Sequence, residues 1–101
     1  MHAKIIYGLN KMKHHPNSRL VPPGSQGFTL GRHVFTRSGV TQKLINHEAV
    51  HVHQYHEDGI PKFLATYIYQ YIKNLFKYRN HKKAYRNIEY EKEAYELASE
   101  T

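Results

Sequence analysis

The sequence predicts a single α+β domain, with a small edge β-sheet and three main α-helices. Three observations carry this reading. Residues 28–37, FTLGRHVFTR, are rich in β-branched and aromatic types and read as one or two short strands interrupted at Gly31. The two stretches that follow have helical punctuation and helical apolar spacing. The chain has 101 residues, 40% hydrophobic and 13% aromatic, enough for one modest core.

Taken in order, residues 3–9, AKIIYGL, read as a short strand or a helical turn. Residues 10–27 hold Pro16, Asn17, Ser18, Pro22, Pro23 and Gly24 and read as an irregular loop. The strand region ends at Ser38-Gly39. Thr41 is placed to N-cap the first long helix and Gly59 to end it, with Pro61 opening the next. In that second helix Phe63, Leu64, Tyr67, Ile68, Tyr71, Ile72, Leu75 and Phe76 recur at helical spacing, which predicts a face packed on the core. Residues 77–87 read as a basic connection, and Asn87 as the cap of a third helix from about 88 to 99.

The composition limits the chemistry. With no Cys, disulfides and thiolate metal sites are excluded. A transition metal must be held by imidazole and carboxylate, which suits zinc. Net charge is +7 with His neutral, which permits anionic partners. Lys77, Arg79, Lys82, Lys83 and Arg86, with Tyr78 and Tyr85 between them, could form a nucleic-acid patch; a solvated connection is the favoured reading. Ala3 to Leu9 is too short for a signal-peptide core, and Phe63 to Phe76 too short for a bilayer span of roughly 20 residues. A cytoplasmic protein with no transmembrane segment is expected.

The chemical signal is His47-Glu48-Ala49-Val50-His51. On a helix, His47 and His51 lie one turn apart on one side and can share a metal ion. Glu48 falls about 100° round from His47, too displaced to chelate but placed to take a proton from a water on the metal. A third ligand is sought in the last helix. Glu89, Glu93, Glu96 and Glu100 form one stripe, expected to face solvent. Glu91 shares phase with Ile88, Ala94, Tyr95 and Ala98, and a carboxylate on that face needs a partner, either a metal or a rim Lys or Arg. His53 and His56 fall on the far side of the first helix, and His14, His15, His33 and His81 read as surface residues. Tyr85, just before the last helix, is the preferred donor to a developing oxyanion, with His81 the alternative.

HEAVH, followed forty residues after His51 by Glu91-Lys92-Glu93-Ala94, resembles the gluzincin branch of zinc peptidases, which includes thermolysin and the CAAX-processing enzymes. In size the chain is most similar to the minigluzincins. The resemblance spans residues 28–98. It implies a mini-zincin fold, Zn2+ held by His47, His51 and Glu91, Glu48 as general base, and hydrolysis of a peptide or protein substrate. It also implies that a C-terminal segment could hold the enzyme latent. The chain departs from the pattern at Tyr95, where an Asp often follows the Ala, so support for a ligand histidine must come from elsewhere. On this reading the strand from His33 to Arg37 aligns an extended substrate. The competing reading is a zinc-stabilised, non-catalytic basic module that binds nucleic acid or an acidic protein.

Overall fold

The computed structural model describes residues 1–100. In order, the elements are α1 (Ala3–Lys11), β1 (Lys13–His15), β2 (Gly27–Leu30), β3 (His33–Thr36), α2 (Gln42–Asp58), α3 (Ile60–Tyr78), α4 (His81–Arg86) and α5 (Glu89–Ser99). The α+β class agrees with the sequence. Two further helices, α1 and α4, join the three expected.

The N-terminal segment is helical because Ile5, Gly8, Leu9 and Met12 repeat at helical spacing and pack on α2 and α5. The His2 side chain caps it, accepting from the Lys4 N–H at 3.1 Å. Gly8 sets the depth of docking: a Cβ there would lie 1.9 Å from the Ala49 carbonyl oxygen. The backbones of α1 and α2 therefore meet directly beneath the HEAVH turn. Gly8→Ala should gain about 1 kcal/mol of helix propensity but lose more to overlap, because backbone cannot yield as a side chain can. A net destabilisation of about 1–3 kcal/mol is expected in a thermal melt. An unchanged melting temperature would mean that the two helices do not touch as described.

The sheet has the order β1-β3-β2, with β1 parallel and β2 antiparallel to β3. Gly31, at φ 64°, and Arg32 form a two-residue hairpin loop between the paired residues Leu30 and His33. Strand β1 lies inside the stretch expected to be loop; three residues are too few to show a period of two. Its pairing makes β3 the central strand, so β3 offers no edge to a substrate, contrary to the expectation for His33 to Arg37. The strand edge beside the cleft belongs to β2 instead. Val34 and Thr36 are fully buried on the inner face, and Thr29, in register with Val34, points the same way toward α2.

The punctuation of α2 is as expected. The Thr41 hydroxyl accepts from the Leu44 N–H at 3.2 Å, and Gly59, at φ 83°, donates its N–H to Tyr55 O at 2.7 Å. The core lies where α2 meets α1 and α5, around Ile5, Ala49, Val50 and Ala94.

Helix α3 departs from expectation. Its polar groups face the protein and its aliphatic groups face out. Tyr67, Gln70, Tyr71 and Asn74 make hydrogen bonds to α4 and α5, while Phe63 is the one α3 residue fully packed. Leu64, Ile68, Ile72, Leu75 and Phe76 are exposed. Periodicity identifies a helix face but not the side on which the core lies, and here the core lies opposite.

Residues 77–87 are not an irregular connection. They finish α3 and form α4, whose N-cap Asn80 accepts from the Lys83 N–H. Asn87 does not cap α5; its side chain turns back to donate to Lys83 O at 2.8 Å, and Ile88 takes the cap position, fully buried. Helix α5 then buries Glu91, Ala94 and Ala98 on the face expected.

Candidate metal centre

Helix α2 carries His47 and His51 on successive turns, and α5 brings Glu91 against them; all three are buried. His47 Nε2 lies 2.9 Å from Glu91 Oε1, His51 Nε2 lies 3.2 Å from the same oxygen, and the two Nε2 atoms are 3.2 Å apart. Three donor atoms therefore form a nearly equilateral triangle. Tetrahedral coordination with bonds of about 2.0–2.1 Å requires donor separations of about 3.3 Å. The triangle would fit the base of such a tetrahedron with a slight expansion. These residues lie close enough to hold a metal ion, and among the described residues no fourth His, Asp or Glu joins the cluster.

The surrounding hydrogen bonds orient the donors. The Gln54 amide nitrogen donates to Tyr90 O and Glu93 Oε1, both at 3.0 Å. Its amide oxygen must then accept, and it lies 2.7 Å from His51 Nδ1. That fixes the proton of His51 on Nδ1 and turns Nε2 toward the centre. Gln54 thus supplies the support that Tyr95 cannot; the Tyr95 ring packs edge-on against His47, centroids 4.4 Å apart. Tyr67 donates to Glu91 Oε2 at 2.7 Å, leaving Oε1 for the metal side. Gln54→Leu removes the orienting acceptor and should weaken metal affinity roughly 10–100-fold. Competition titration against a chromophoric chelator measures this, and wild-type affinity in the variant would refute the orienting role.

The stripe of acidic residues on α5 needs correcting at one position. Glu93 does not simply face water: it accepts from Gln54 and from Lys4 Nζ at 2.9 Å. His53 is also half-covered, because the unexpected α1 places Tyr7 against it, 5.2 Å between centroids; Glu57 pairs with it at 2.9 Å.

Tyr85 reaches the centre. Its hydroxyl donates to Glu91 Oε1 at 3.2 Å and lies 3.3 Å from the Tyr95 hydroxyl. Burial and the Glu91 charge push the Tyr85 and Tyr67 hydroxyls well above the usual phenol range, so both remain donors. His81 sits farther out on the cleft rim, bonded to the Tyr71 hydroxyl at 2.7 Å. Glu48 is buried on the β2 side, where the Thr29 hydroxyl donates to its Oε1 at 2.8 Å. Tyr55 donates to Thr29 O at 3.1 Å and so ties β2 to α2. Glu48, both histidines, Tyr67 and Tyr85 line one cleft of about 810 Å³, bounded by β2. Sequence reasoning missed Gln54, Tyr67 and Thr29. Gln54 was the most accessible of them, since it lies one turn beyond His51.

Burial opposes protonation of His51, but the Glu91 carboxylate outweighs it and holds the imidazole pKa up to about 9. Burial likewise opposes ionisation of Glu91, and the His51 charge and both histidine hydrogen bonds outweigh it, lowering its pKa. A proton on His51 therefore supplies a positive charge against the Glu91 carboxylate. A raised imidazole pKa contributes stability fully present below the unfolded value near 6.5 and lost as pH rises through about 9. In chelator, melting temperature should fall across that window by the equivalent of on the order of 3 kcal/mol. Glu91→Gln should flatten the curve, and a flat wild-type curve would refute the pairing.

No family model matches this chain, and neither a curated protein nor a solved structure gives a significant match.

Proposed function

We propose that this protein is a zinc-dependent peptidase of minigluzincin-like design. One observation carries the reading: His47 Nε2, His51 Nε2 and Glu91 Oε1 converge on one point beside a buried, oriented carboxylate, Glu48, in a cleft bounded by a strand edge. Two imidazoles and a carboxylate with no thiolate suit zinc. A three-residue set would leave a position for water on the ion, which favours catalysis over a structural site.

When bound, zinc supplies a Lewis acid that acidifies water and polarises a carbonyl. The rest falls to the chain. The β2 edge offers backbone groups to an extended peptide. Glu48, which lines the cleft with one oxygen held by the Thr29 hydroxyl, takes the proton of the attacking water and passes it to the leaving amine. Tyr85, whose hydroxyl lies 3.2 Å from Glu91 Oε1, would donate to the developing oxyanion.

The test is hydrolysis of a mixed pool of quenched fluorogenic peptides by protein of measured zinc content. Expected are one zinc per chain, cleavage abolished by chelator and cleavage restored by zinc. Stoichiometric zinc without cleavage would favour the binding module; cleavage that survives chelation would overturn the mechanism.

A further inference from the structure

We propose that the outer face of α3 docks on an anionic lipid surface, with the helix lying in the plane of the interface. This stands apart from the peptidase reading and does not need it. Helix α3 turns its hydrogen-bonding groups inward, through Tyr67 to Glu91, Tyr71 to His81 and Asn74 to Ala84 O. Its outer face carries Leu64, Ile68, Tyr69, Ile72, Leu75 and Phe76, with Ile68 55%, Tyr69 65% and Phe76 72% exposed. From Leu64 to Phe76 this makes a ridge about 20 Å long on the 19-residue helix. An apolar strip of that length on a surface marks an interaction site.

Charge selects the partner. Between Ile60 and Asn87 there are seven Lys and Arg and no Asp or Glu; all eight acidic residues of the chain lie outside this stretch. At 100° per residue the aliphatic strip runs from Leu64 through Ile68 and Ile72 to Phe76, Tyr69 follows at its border, and Lys73 and Lys77 come next. Exposed Lys82 and Lys83 extend the basic region onto α4. A second copy of the chain seated on this face would set one acid-free cationic surface against another, which disfavours a symmetric dimer. A nucleic acid would match the charge but leave Leu, Ile and Phe without an apolar medium. A lipid surface matches both: aliphatic groups reach the acyl boundary, Tyr69 sits at headgroup depth, and the lysine stems extend their ammonium groups to phosphates and carboxylates. Among the described residues no helix is long and apolar enough to cross a membrane, so the helix lies on the surface and does not span it.

Flotation of the intact protein with vesicles tests this. The vesicles are phosphatidylcholine alone or phosphatidylcholine with roughly one quarter phosphatidylserine. Expected is binding to the anionic vesicles, roughly tenfold or more weaker on the neutral ones. Ile68→Ser with Ile72→Ser should abolish it, and Lys73→Glu with Lys77→Glu should weaken it roughly tenfold or more. All four side chains are solvent-exposed, so both variants should keep the wild-type melting temperature. The chain has no Trp, so Phe76→Trp gives a direct readout on an otherwise wild-type protein, and its emission should shift to shorter wavelength on anionic vesicles. The proposal fails if the wild type does not float with anionic vesicles, if the Ser variant floats as well as wild type, or if the Trp emission does not move. A dimer in sedimentation velocity that the Ser variant dissolves, without lipid binding, would assign the face to a second copy. Tight binding to nucleic acid in place of vesicles would assign it to that partner.

Discussion

At the proposed zinc site, Glu91→Ala is expected to weaken zinc affinity by more than about 100-fold, since even outer partners of a metal ligand cost roughly 10–100-fold. The carboxylate is the single group that touches both histidines, at 2.9 and 3.2 Å, and no other carboxylate joins the cluster among the described residues. Under saturating zinc, a 100-fold loss corresponds to about 2.7 kcal/mol of native-state stabilisation. For a domain of this size each kcal/mol shifts melting by about 4–8 °C, so a fall of roughly 10–20 °C is expected with zinc present. Chelator alone should not reproduce the variant, because Glu91→Ala also leaves the buried His51 imidazole without its counter-charge. Glu93→Ala is the matched control on the same helix. It removes the brace on Gln54 and the partner of Lys4, so a smaller loss of affinity, within roughly tenfold, is expected. Zinc titration and melting curves with and without chelator measure all of this. Metal loss in Glu93→Ala with retention in Glu91→Ala would mean that the phase of α5 is wrong.

The parts of the site legible in the sequence were those fixed by helical phase. His47 and His51 at i and i+4 can only share a side of α2, and Glu91 shares its phase with Ile88, Ala94 and Ala98, each of which is buried. Caps at Thr41 and Gly59 were legible because each has a local chemical cause, a hydroxyl acceptor and a left-handed backbone. What depended on tertiary partners was not legible. Strand β1 exists because β3 offers it an edge, and nothing in Lys13-His14-His15 announces that pairing. Tyr67 looked like one more member of an apolar stripe, yet its hydroxyl bonds a candidate ligand while its aliphatic neighbours face outward. A tyrosine has an apolar ring and a polar end, and spacing alone does not say which of them determines its place.

On the proposed peptidase mechanism, Glu48→Gln should lower turnover by about 10²–10⁴-fold while zinc content and melting temperature stay near wild type. The substitution is almost isosteric, and the Thr29 hydroxyl can still donate to the amide oxygen as it now donates to Glu48 Oε1. The amide nitrogen then occupies the position of the second carboxylate oxygen. It has no lone pair available to accept a proton, so the attacking water loses its base, and the leaving amine loses its acid. Zinc affinity should persist because Glu48 lies outside the triangle of His47, His51 and Glu91. The loss should appear in kcat with KM little changed, since Glu48 is assigned to proton transfer and not to peptide binding. Thr29→Val separates orientation from basicity: it keeps the carboxylate but frees its Oε1, and should cost less than Glu48→Gln while also sparing zinc. Zinc-replete Glu48→Gln protein that turns over like wild type would remove Glu48 from the mechanism. Loss of zinc from the same variant would instead make Glu48 a ligand, and the cluster would have to be redrawn around four protein donors.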